Sequence, residues 1–186
     1  MRIISGKAKG CRLKVPAGRK TRPTADRVKE AVFSAIQFDI AGKEVLDMFA
    51  GAGGLGLEAL SRGAEHAVFI DSGDEAVKAL RENLEKTRLT GKAEIKKADY
   101  TPALLGCEGR AFGLIFIDPP YGAGFYEDVL DKICRYGLLE DDGIAILEKP
   151  AGLQVSYPEG FTESRRKRYG KTEIIFIAKE TVKKHE

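Results

Sequence analysis

The strongest constraint on the fold is a regular alternation of strand-like and helix-like segments between residues 44 and 147. Short apolar runs predict strands at residues 45–48, 67–70, 93–97, 114–117 and 144–147. Apolar residues spaced three and four apart predict helices at residues 55–61, 74–87, 101–105 and 126–136. This alternation predicts an α/β fold with a mostly parallel sheet and helices on both faces. Such a sheet binds ligands beyond the carboxyl ends of its strands.

The two ends of the chain depart from this alternation. Residues 161–169 and 172–178 predict two strands with no helix between them, so we expect an antiparallel hairpin that completes a seven-stranded sheet at its edge. Residues 2–5 and 12–15 predict a small N-terminal β-hairpin, followed by a loop.

A helix is then expected to begin near Thr24, its N-cap, with one apolar stripe. The stripe consists of Val28, Val32, Phe33 and Ile36. We therefore expect a small N-terminal unit at residues 1–23 and an α/β domain at residues 24–186.

The loop after the first predicted strand has glycines at the spacing G-x-G-x-x-G: Gly51, Gly53 and Gly56. Such loops let a ligand approach the backbone, and they occur in sites for NAD, FAD and S-adenosylmethionine. Asp47 precedes the loop, where a carboxylate would repel a pyrophosphate but attract the cationic aminoacyl end of S-adenosylmethionine. The residues predicted to bind the cofactor here are Asp47, Phe49, Ala50, Gly51 and Gly53.

Acidic residues also follow the second and third predicted strands. Asp71, beside Ser72, is predicted to accept hydrogen bonds from the ribose hydroxyls, although a helix cap is the alternative. Asp99, beside Tyr100, is predicted to bind the adenine amino group, and a helix cap is an equal alternative there. An acid at the end of the second strand fits NAD as well, so these positions do not choose the cofactor.

The tetrapeptide Asp118, Pro119, Pro120, Tyr121 follows the fourth predicted strand and therefore lies at the same edge of the sheet as the glycine loop. Two prolines stiffen the loop and hold the Asp118 carboxylate and the Pro119 carbonyl as acceptors. Two convergent acceptors can bind both hydrogens of a base amino group and favour a more nucleophilic nitrogen. Tyr121 offers a flat face on which an extruded base can stack. We predict direct methyl transfer to an exocyclic amino group, without a covalent enzyme intermediate or a metal.

Positive charge is concentrated at the N-terminus. Residues 1–30 carry ten lysines and arginines against two acids, a net charge of +8, whereas the whole chain is only +3. A basic segment on an otherwise acidic body predicts contact with a polyanion such as nucleic acid. The predicted RNA-binding residues are Arg2, Lys7, Lys9, Arg12, Lys14 and Arg22. A second basic run at residues 165–168 fits either an RNA contact or a solvated strand edge.

Composition excludes several other classes. Cys11, Cys107 and Cys134 are far apart and form no CxxC pair, so we expect neither a disulfide framework nor a metal site. No apolar run approaches the roughly 20 residues needed to span a bilayer, and the first residues lack the apolar core of a secretion signal. We expect a cytoplasmic, monomeric protein without membrane contact.

Together these motifs resemble the class I, Rossmann-like amino-methyltransferases of nucleic-acid bases, and more narrowly the RsmD family of small-subunit ribosomal RNA guanine-N2 methyltransferases. The resemblance runs nearly end to end. It is carried by residues 2–6, 10–13, 22–30, 33, 47–51 and 56–64, and the segments at 22–24 and 57–62 are specific to this family. The tetrapeptide at 118–121 is shared with adenine-modifying enzymes.

The resemblance implies a substrate, a guanine of 16S rRNA in an assembled or assembling 30S particle. It implies S-adenosylmethionine as cofactor, with S-adenosylhomocysteine as product. It also implies that Arg22, Thr24 and Arg27 lie over the cofactor pocket or the target base. Three alternatives remain from the residues themselves: an adenine-N6 methyltransferase, a nicotinamide oxidoreductase and a non-catalytic ribosome-assembly factor.

Overall fold

The computed structural model describes residues 1–16, 23–119 and 126–180. The helices in these residues are α1 (Pro23–Ala35), α2 (Gly56–Ser61), α3 (Asp74–Thr87), α4 (Tyr100–Leu105) and α5 (Tyr126–Arg135), with a 3₁₀ turn at Thr90–Lys92. The strands are β1 (Glu44–Met48), β2 (His66–Ile70), β3 (Ala93–Lys96), β4 (Phe112–Ile117), β5 (Leu139–Pro150), β6 (Phe161–Tyr169) and β7 (Thr172–Lys179).

The strands form one sheet in the order β3-β2-β1-β4-β5-β7-β6. The first five pair in parallel, whereas β7 runs antiparallel to both β5 and β6. The predicted α/β class, the parallel sheet and the antiparallel edge hairpin are therefore confirmed. The parallel strands place their carboxyl ends at one edge, which is where the predicted motifs lie.

Two apolar clusters sandwich the sheet. On one side, which we call the α1 face, helices α1, α2 and α3 bury residues such as Phe33, Leu57 and Leu80 against alternate strand residues. On the other side, the α5 face, helices α4 and α5 bury residues such as Leu104 and Ile133. Because strand side chains alternate, Phe116 of β4 points to the α1 face and Ile117 to the α5 face. The predicted apolar stripe of α1 is confirmed, since all four of its residues are buried.

The N-terminal hairpin differs from the prediction. Its two segments are joined by a single antiparallel bridge between Arg2 and Arg12, not by two regular strands. The amides of Ile3, Gly10 and Leu13 still donate across the hairpin, whereas other amides of the segment bind side chains of α2. Ile4 and Ser5 donate their amides to the Glu58 carboxylate, at 2.7 and 3.0 Å, and the amide of Ala8 donates to the Ser61 hydroxyl at 2.9 Å.

Two element boundaries also differ. Helix α1 begins at Pro23, one residue before the predicted N-cap Thr24, and proline suits a first helical turn because its missing N–H is not needed there. Strand β5 extends well beyond the predicted residues 144–147, since acidic residues at 140–142 hid its first part. Among the described residues, no helix is both long and apolar enough to cross a membrane.

Candidate active site

A cavity of about 730 Å³ opens on the α1 face at the carboxyl ends of the parallel strands. This lies within the range of roughly 300–1,000 Å³ that is usual for small-molecule sites. Its wall is formed by the N-terminal segment, α1, the loop after β1, the ends of β4 and β5, and the β6–β7 turn. The cavity thus extends under four neighbouring strands, from the glycine loop of β1 to the tip of β7.

The loop after β1 needs its glycines for close packing as well as for its turns. Gly51 and Gly53 have positive φ angles of 56° and 82°. A Cβ at Gly53 would lie 2.4 Å from a methyl carbon of Leu80, and one at Gly56 would lie 2.4 Å from the Phe69 ring. Phe49, not a glycine, also has a φ of 58°, which is strained for a bulky side chain. The loop is therefore held in an unusual conformation where it forms the cavity wall.

Asp47 is buried at the base of this loop. Its Oδ2 accepts a hydrogen bond of 2.8 Å from the Gly56 amide at the start of α2. The pKa of Asp47 is raised to about 7, mainly by burial and in part by the negative charge of Asp71, while the hydrogen bond from Gly56 opposes the rise. No cation in the described part of the chain contributes to this pKa. The cavity wall thus contains a carboxylate whose charge no cation of the described residues compensates.

Asp71 binds the glycine loop from the neighbouring strand. Its Oδ2 accepts the Gly51 amide at 2.7 Å, and its Oδ1 accepts the Gly73 amide at 2.8 Å, before α3. Asp71 thus holds the N-cap residue Gly73, but helix α3 itself has no side-chain cap, so the capping alternative is not what the structure shows. Each carboxylate oxygen has a further lone pair, so these bonds leave capacity for ribose hydroxyls.

Several predicted cofactor residues are not among the described residues that line the cavity: Gly53, Asp71, Ser72, Asp99 and Tyr100. Asp99 is exposed at the N-terminus of α4 and makes no side-chain capping bond. The Tyr100 hydroxyl donates to Asp128 at 2.6 Å, and its ring lies 5.6 Å from that of Phe49. Through Phe49, Tyr100 supports the cavity wall from behind. Ser72 is exposed after β2.

Asp118 and Pro119 follow β4 directly and both line the cavity. Asp118 is exposed and Pro119 is buried. The structure thus brings these two predicted catalytic residues into one cavity with Asp47, Phe49, Ala50 and Gly51. Pro120 and Tyr121 lie outside the described residues.

A second carboxylate, Glu148, lines the same cavity and was not predicted. Ile117 of β4 pairs with Leu147 of β5, so Asp118 and Glu148 are the next residues on adjacent parallel strands. Residues of equal register on neighbouring strands point to the same face, here the α1 face. The signal was present in the sequence, because Glu148 follows the predicted strand 144–147 as Asp118 follows 114–117.

Tyr126, at the start of α5, lies behind these two carboxylates. It is only 3% exposed, and its hydroxyl has no hydrogen-bond partner among the described residues. Burial raises the pKa of Tyr126, and the charges of Asp118 and Glu148 raise it further. This hydroxyl therefore stays protonated close to the negative end of the cavity.

The N-terminal segment is bound to α2 by a buried carboxylate. Glu58, fully buried, accepts the two amides described above, and its charge is shared between Arg62 Nε at 2.8 Å and Lys29 Nζ at 3.2 Å. Burial lowers the pKa of Lys29, which Glu58 opposes. Residues 57–62 thus contain a structural element that positions the N-terminus.

The predicted basic residues differ in their surroundings. Arg2, Lys7, Lys9 and Arg12 are exposed. Lys14 is exposed but forms an ion pair of 2.7 Å with Glu82. On α1 the cavity wall is formed by Asp26, Val28, Lys29 and Val32, while Arg27 is exposed away from it. Arg22 and the side chain of Thr24 lie outside the described residues.

The topology, with β7 inserted antiparallel beside β5, and the site at the carboxyl ends of the strands together define a class I methyltransferase fold. The solved structure of yhhF from Escherichia coli is similar, with a TM-score of 0.87 and 31% identity over 97% of this chain and 98% of that one. A more distant structure with the same fold, 15% identical and with a TM-score of 0.69, contains S-adenosylhomocysteine.

Sequence comparison gives the family. A family model described as "Conserved hypothetical protein 95" matches residues 1–178. YlbH of Bacillus subtilis is 40% identical over 182 residues, covering 96% of this chain and 99% of the relative. Ribosomal RNA small subunit methyltransferase D of Escherichia coli is 35% identical over 148 residues, covering 80% of this chain and 74% of the relative. The chain belongs to this family, and the predicted membership of the RsmD family is confirmed.

The residues of the cavity fit S-adenosylmethionine. The glycine loop leaves room for a ligand against its backbone, and Asp47 offers an uncompensated carboxylate to a cationic end. The same carboxylate would repel the pyrophosphate of a nicotinamide cofactor, which makes the oxidoreductase alternative unfavourable.

Proposed function

We propose that this protein transfers a methyl group from S-adenosylmethionine to the N2 amino group of a guanine in small-subunit ribosomal RNA, presented in an assembled or assembling particle. One observation carries the proposal: Asp118 and Pro119 share a cavity with the glycine loop of a class I methyltransferase fold. The relatives that are named ribosomal RNA methyltransferases support an RNA substrate. The exposed basic residues of the N-terminal segment would bind the phosphates of this RNA.

The chemistry follows from two acceptors at the cavity wall. Bound S-adenosylmethionine supplies an electrophilic methyl group on a sulfonium. The Asp118 carboxylate accepts one hydrogen of the target amino group, and the Pro119 carbonyl accepts the other. These bonds hold the nitrogen in near-attack geometry and turn its lone pair out of the ring plane. As the nitrogen gains positive charge, Asp118 stabilises it and offers one route for the departing proton.

Glu148 favours guanine over adenine. Guanine presents a donor at N1 beside its N2 amino group, whereas adenine presents an acceptor at N1 beside its N6 amino group. A carboxylate next to Asp118 can accept the guanine N1 hydrogen but repels the adenine N1 lone pair. Sites built around such a bond reject the analogue that lacks it, because their polar groups are left unpaired.

The direct test is methyl transfer from labelled S-adenosylmethionine to unmodified small subunits and to naked rRNA, followed by nucleoside analysis. We expect labelled N2-methylguanine, with more label on particles than on naked rRNA. Label on adenine alone would overturn the guanine assignment and support the adenine-N6 alternative. Binding to particles without any transfer would support a non-catalytic assembly factor.

Two variants of Asp118 test the mechanism. We expect Asp118→Ala to lower turnover by at least about 100-fold, as for other groups that stabilise charge in a transition state. Its affinity for S-adenosylhomocysteine should change by no more than a few-fold. Asp118→Asn keeps one acceptor but not the charge, so its activity should lie between those of Asp118→Ala and the wild type. An active Asp118→Ala variant would refute this mechanism.

The role of Glu148 is tested with 2,6-diaminopurine in place of the mapped guanine. This base keeps the N2 amino group but has no hydrogen at N1. We expect the wild type to methylate it about 100-fold more slowly than guanine. Glu148→Gln can donate to N1, so it should narrow this difference. Equal rates on both bases in the wild type would show that Glu148 does not select guanine.

A further inference from the structure

The basic run at residues 165–168 lies on β6, the edge strand of the sheet, and its side chains divide between the two faces. Directly paired residues of antiparallel strands point to the same face. Arg165 pairs with Phe176 and Lys167 with Ile174, and both partners belong to the α1-face cluster. Arg166 pairs with Ile175, which belongs to the α5-face cluster.

The α1 face of β6 continues directly into the cavity. Ile174, the partner of Lys167, lines the cavity wall, as do Tyr169 and its partner Thr172. Lys171, in the turn between the two strands, lines it as well. We call Arg165, Lys167 and Lys171 the β6 row. It begins at the rim of the cavity, at the end farthest from the glycine loop, and leads away along the edge strand.

The cations on the two faces of β6 have different interaction partners. On the α5 face, Arg166 binds Glu163 at 2.6 Å and lies 3.7 Å from Glu173. On the α1 face, Arg165 stacks over the Phe176 ring at 5.6 Å, and within the described part of the chain no member of the β6 row has a carboxylate partner. All three are exposed.

Protection of a sheet edge does not explain this difference. Charged residues on an edge strand discourage pairing with another sheet, but that effect does not depend on the face to which they point. On the α5 face, Arg166 is paired with a carboxylate and Arg168 donates to the Gly170 carbonyl at 3.1 Å. On the face that leads into the cavity, the side chains of Arg165 and Lys167 make no hydrogen bond to any described residue. Residues two apart on a strand are separated by about 7 Å, which is similar to the distance between successive phosphates of an extended single strand. A polyanion that enters the cavity would therefore meet the β6 row.

We propose that the β6 row binds the sugar-phosphate backbone of the RNA beside the target nucleotide. The proposal rests on the proposed RNA substrate and adds a second contact, separated from the basic N-terminal segment by the cavity itself. The Lys167 and Lys171 ammonium groups bind phosphates, and Arg165, held by Phe176, extends the contact along the strand. The basic N-terminal segment and the β6 row then bind the RNA strand on the two sides of the extruded base.

The test compares matched variants from the two faces of one strand. We expect Lys167→Ala and Lys171→Ala each to raise the KM for the RNA particle by about three- to tenfold, since each removes one phosphate contact. The slope of log affinity against log salt should fall by about 0.7 for each lysine removed. Affinity for S-adenosylhomocysteine should not change. Lys167→Arg should restore the wild-type KM, because it restores the charge.

Arg166→Ala is the control, since it removes the same charge from the opposite face of the same strand. We expect its KM to change less than twofold and its salt slope to stay as in the wild type. A thermal unfolding curve for each variant excludes loss of fold. If Lys167→Ala and Arg166→Ala gave equal effects, or if neither changed the KM, the β6 row would not be an RNA contact.

The outcomes separate this proposal from the one on which it rests. Wild-type activity on guanine with unaffected β6-row variants would overturn only the β6 contact. A wild type that neither binds nor methylates small-subunit RNA would overturn both.

Discussion

Asp47→Asn tests the electrostatics of the cavity most directly. Burial raises the pKa of Asp47 from 3.8 to about 7, and each unit corresponds to 1.36 kcal/mol, so ionising this group in the fold costs roughly 4 kcal/mol. Because the pKa is raised on folding, its contribution to stability is complete below pH 3.8 and is lost as the pH rises to about 7. Asparagine keeps an oxygen for the Gly56 amide but cannot ionise.

Urea unfolding at several pH values measures this difference. We expect Asp47→Asn and the wild type to have similar free energies of unfolding near pH 4. At pH 8 the variant should be more stable by up to roughly 4 kcal/mol, the full cost of the buried charge.

Folding favours the protonated form of Asp47, whereas ligand binding should favour the ionised form. A cationic aminoacyl end favours ionised Asp47, so the wild-type affinity for S-adenosylhomocysteine should rise roughly tenfold between pH 6 and pH 8, with proton release below pH 7. Titration calorimetry in two buffers measures both quantities. Asp47→Asn should bind more weakly at pH 8 and lose this rise. The reasoning is refuted if the variant and the wild type show the same pH dependence in both unfolding and binding.

Three further substitutions test single contacts. Glu58→Ala should lower the free energy of unfolding by about 3–5 kcal/mol in chemical denaturation, because it leaves Lys29 buried and unpaired; a loss below 1 kcal/mol would contradict this. Tyr126→Phe should be neutral or stabilising by about 1 kcal/mol, since its hydroxyl makes no described bond, and a destabilised variant would reveal a missing partner. Phe49→Gly should be about 1 kcal/mol more stable than Phe49→Ala, because only glycine adopts a φ of 58° freely; equal stability would show that no strain is present.

Hydrophobic periodicity predicted the main helices and strands, because the apolar residues that form the pattern are the residues that the fold buries. Helix α3 has the predicted bounds, and its residues Val77, Leu80 and Leu84 are buried as their spacing indicates. The pairing of the edge hairpin was also accessible, since two predicted strands joined only by Gly170 and Lys171 leave room for nothing but a tight turn. In α3 and in the edge hairpin, the tertiary contacts favour the same secondary structure as the local sequence does.

The N-terminal segment shows where this reasoning fails. Its residues alternate like a hairpin, but side chains more than 50 residues away, Glu58 and Ser61, bind the amides of Ile4, Ser5 and Ala8 and hold the segment against α2. A hydrogen bond from the backbone of a segment to a distant side chain leaves no pattern in the sequence of that segment. The pairing of Lys29 with Glu58 is likewise invisible in a charge count, which treats Lys29 as part of a solvated basic segment.

The sequence by itself determined the fold class and the family, and it predicts the chemistry at residues 118–121, because these depend on local periodicity and on short motifs whose residues are adjacent in the chain. Only the tertiary structure decided that Glu148 lies beside Asp118, that Asp47 is buried with no compensating cation among the described residues, and that the cations of β6 have different partners on its two faces. These properties depend on strand register and on burial, which bring together residues far apart in the sequence. A linear pattern cannot specify such distances, and the free energies of charges in a cavity depend on them.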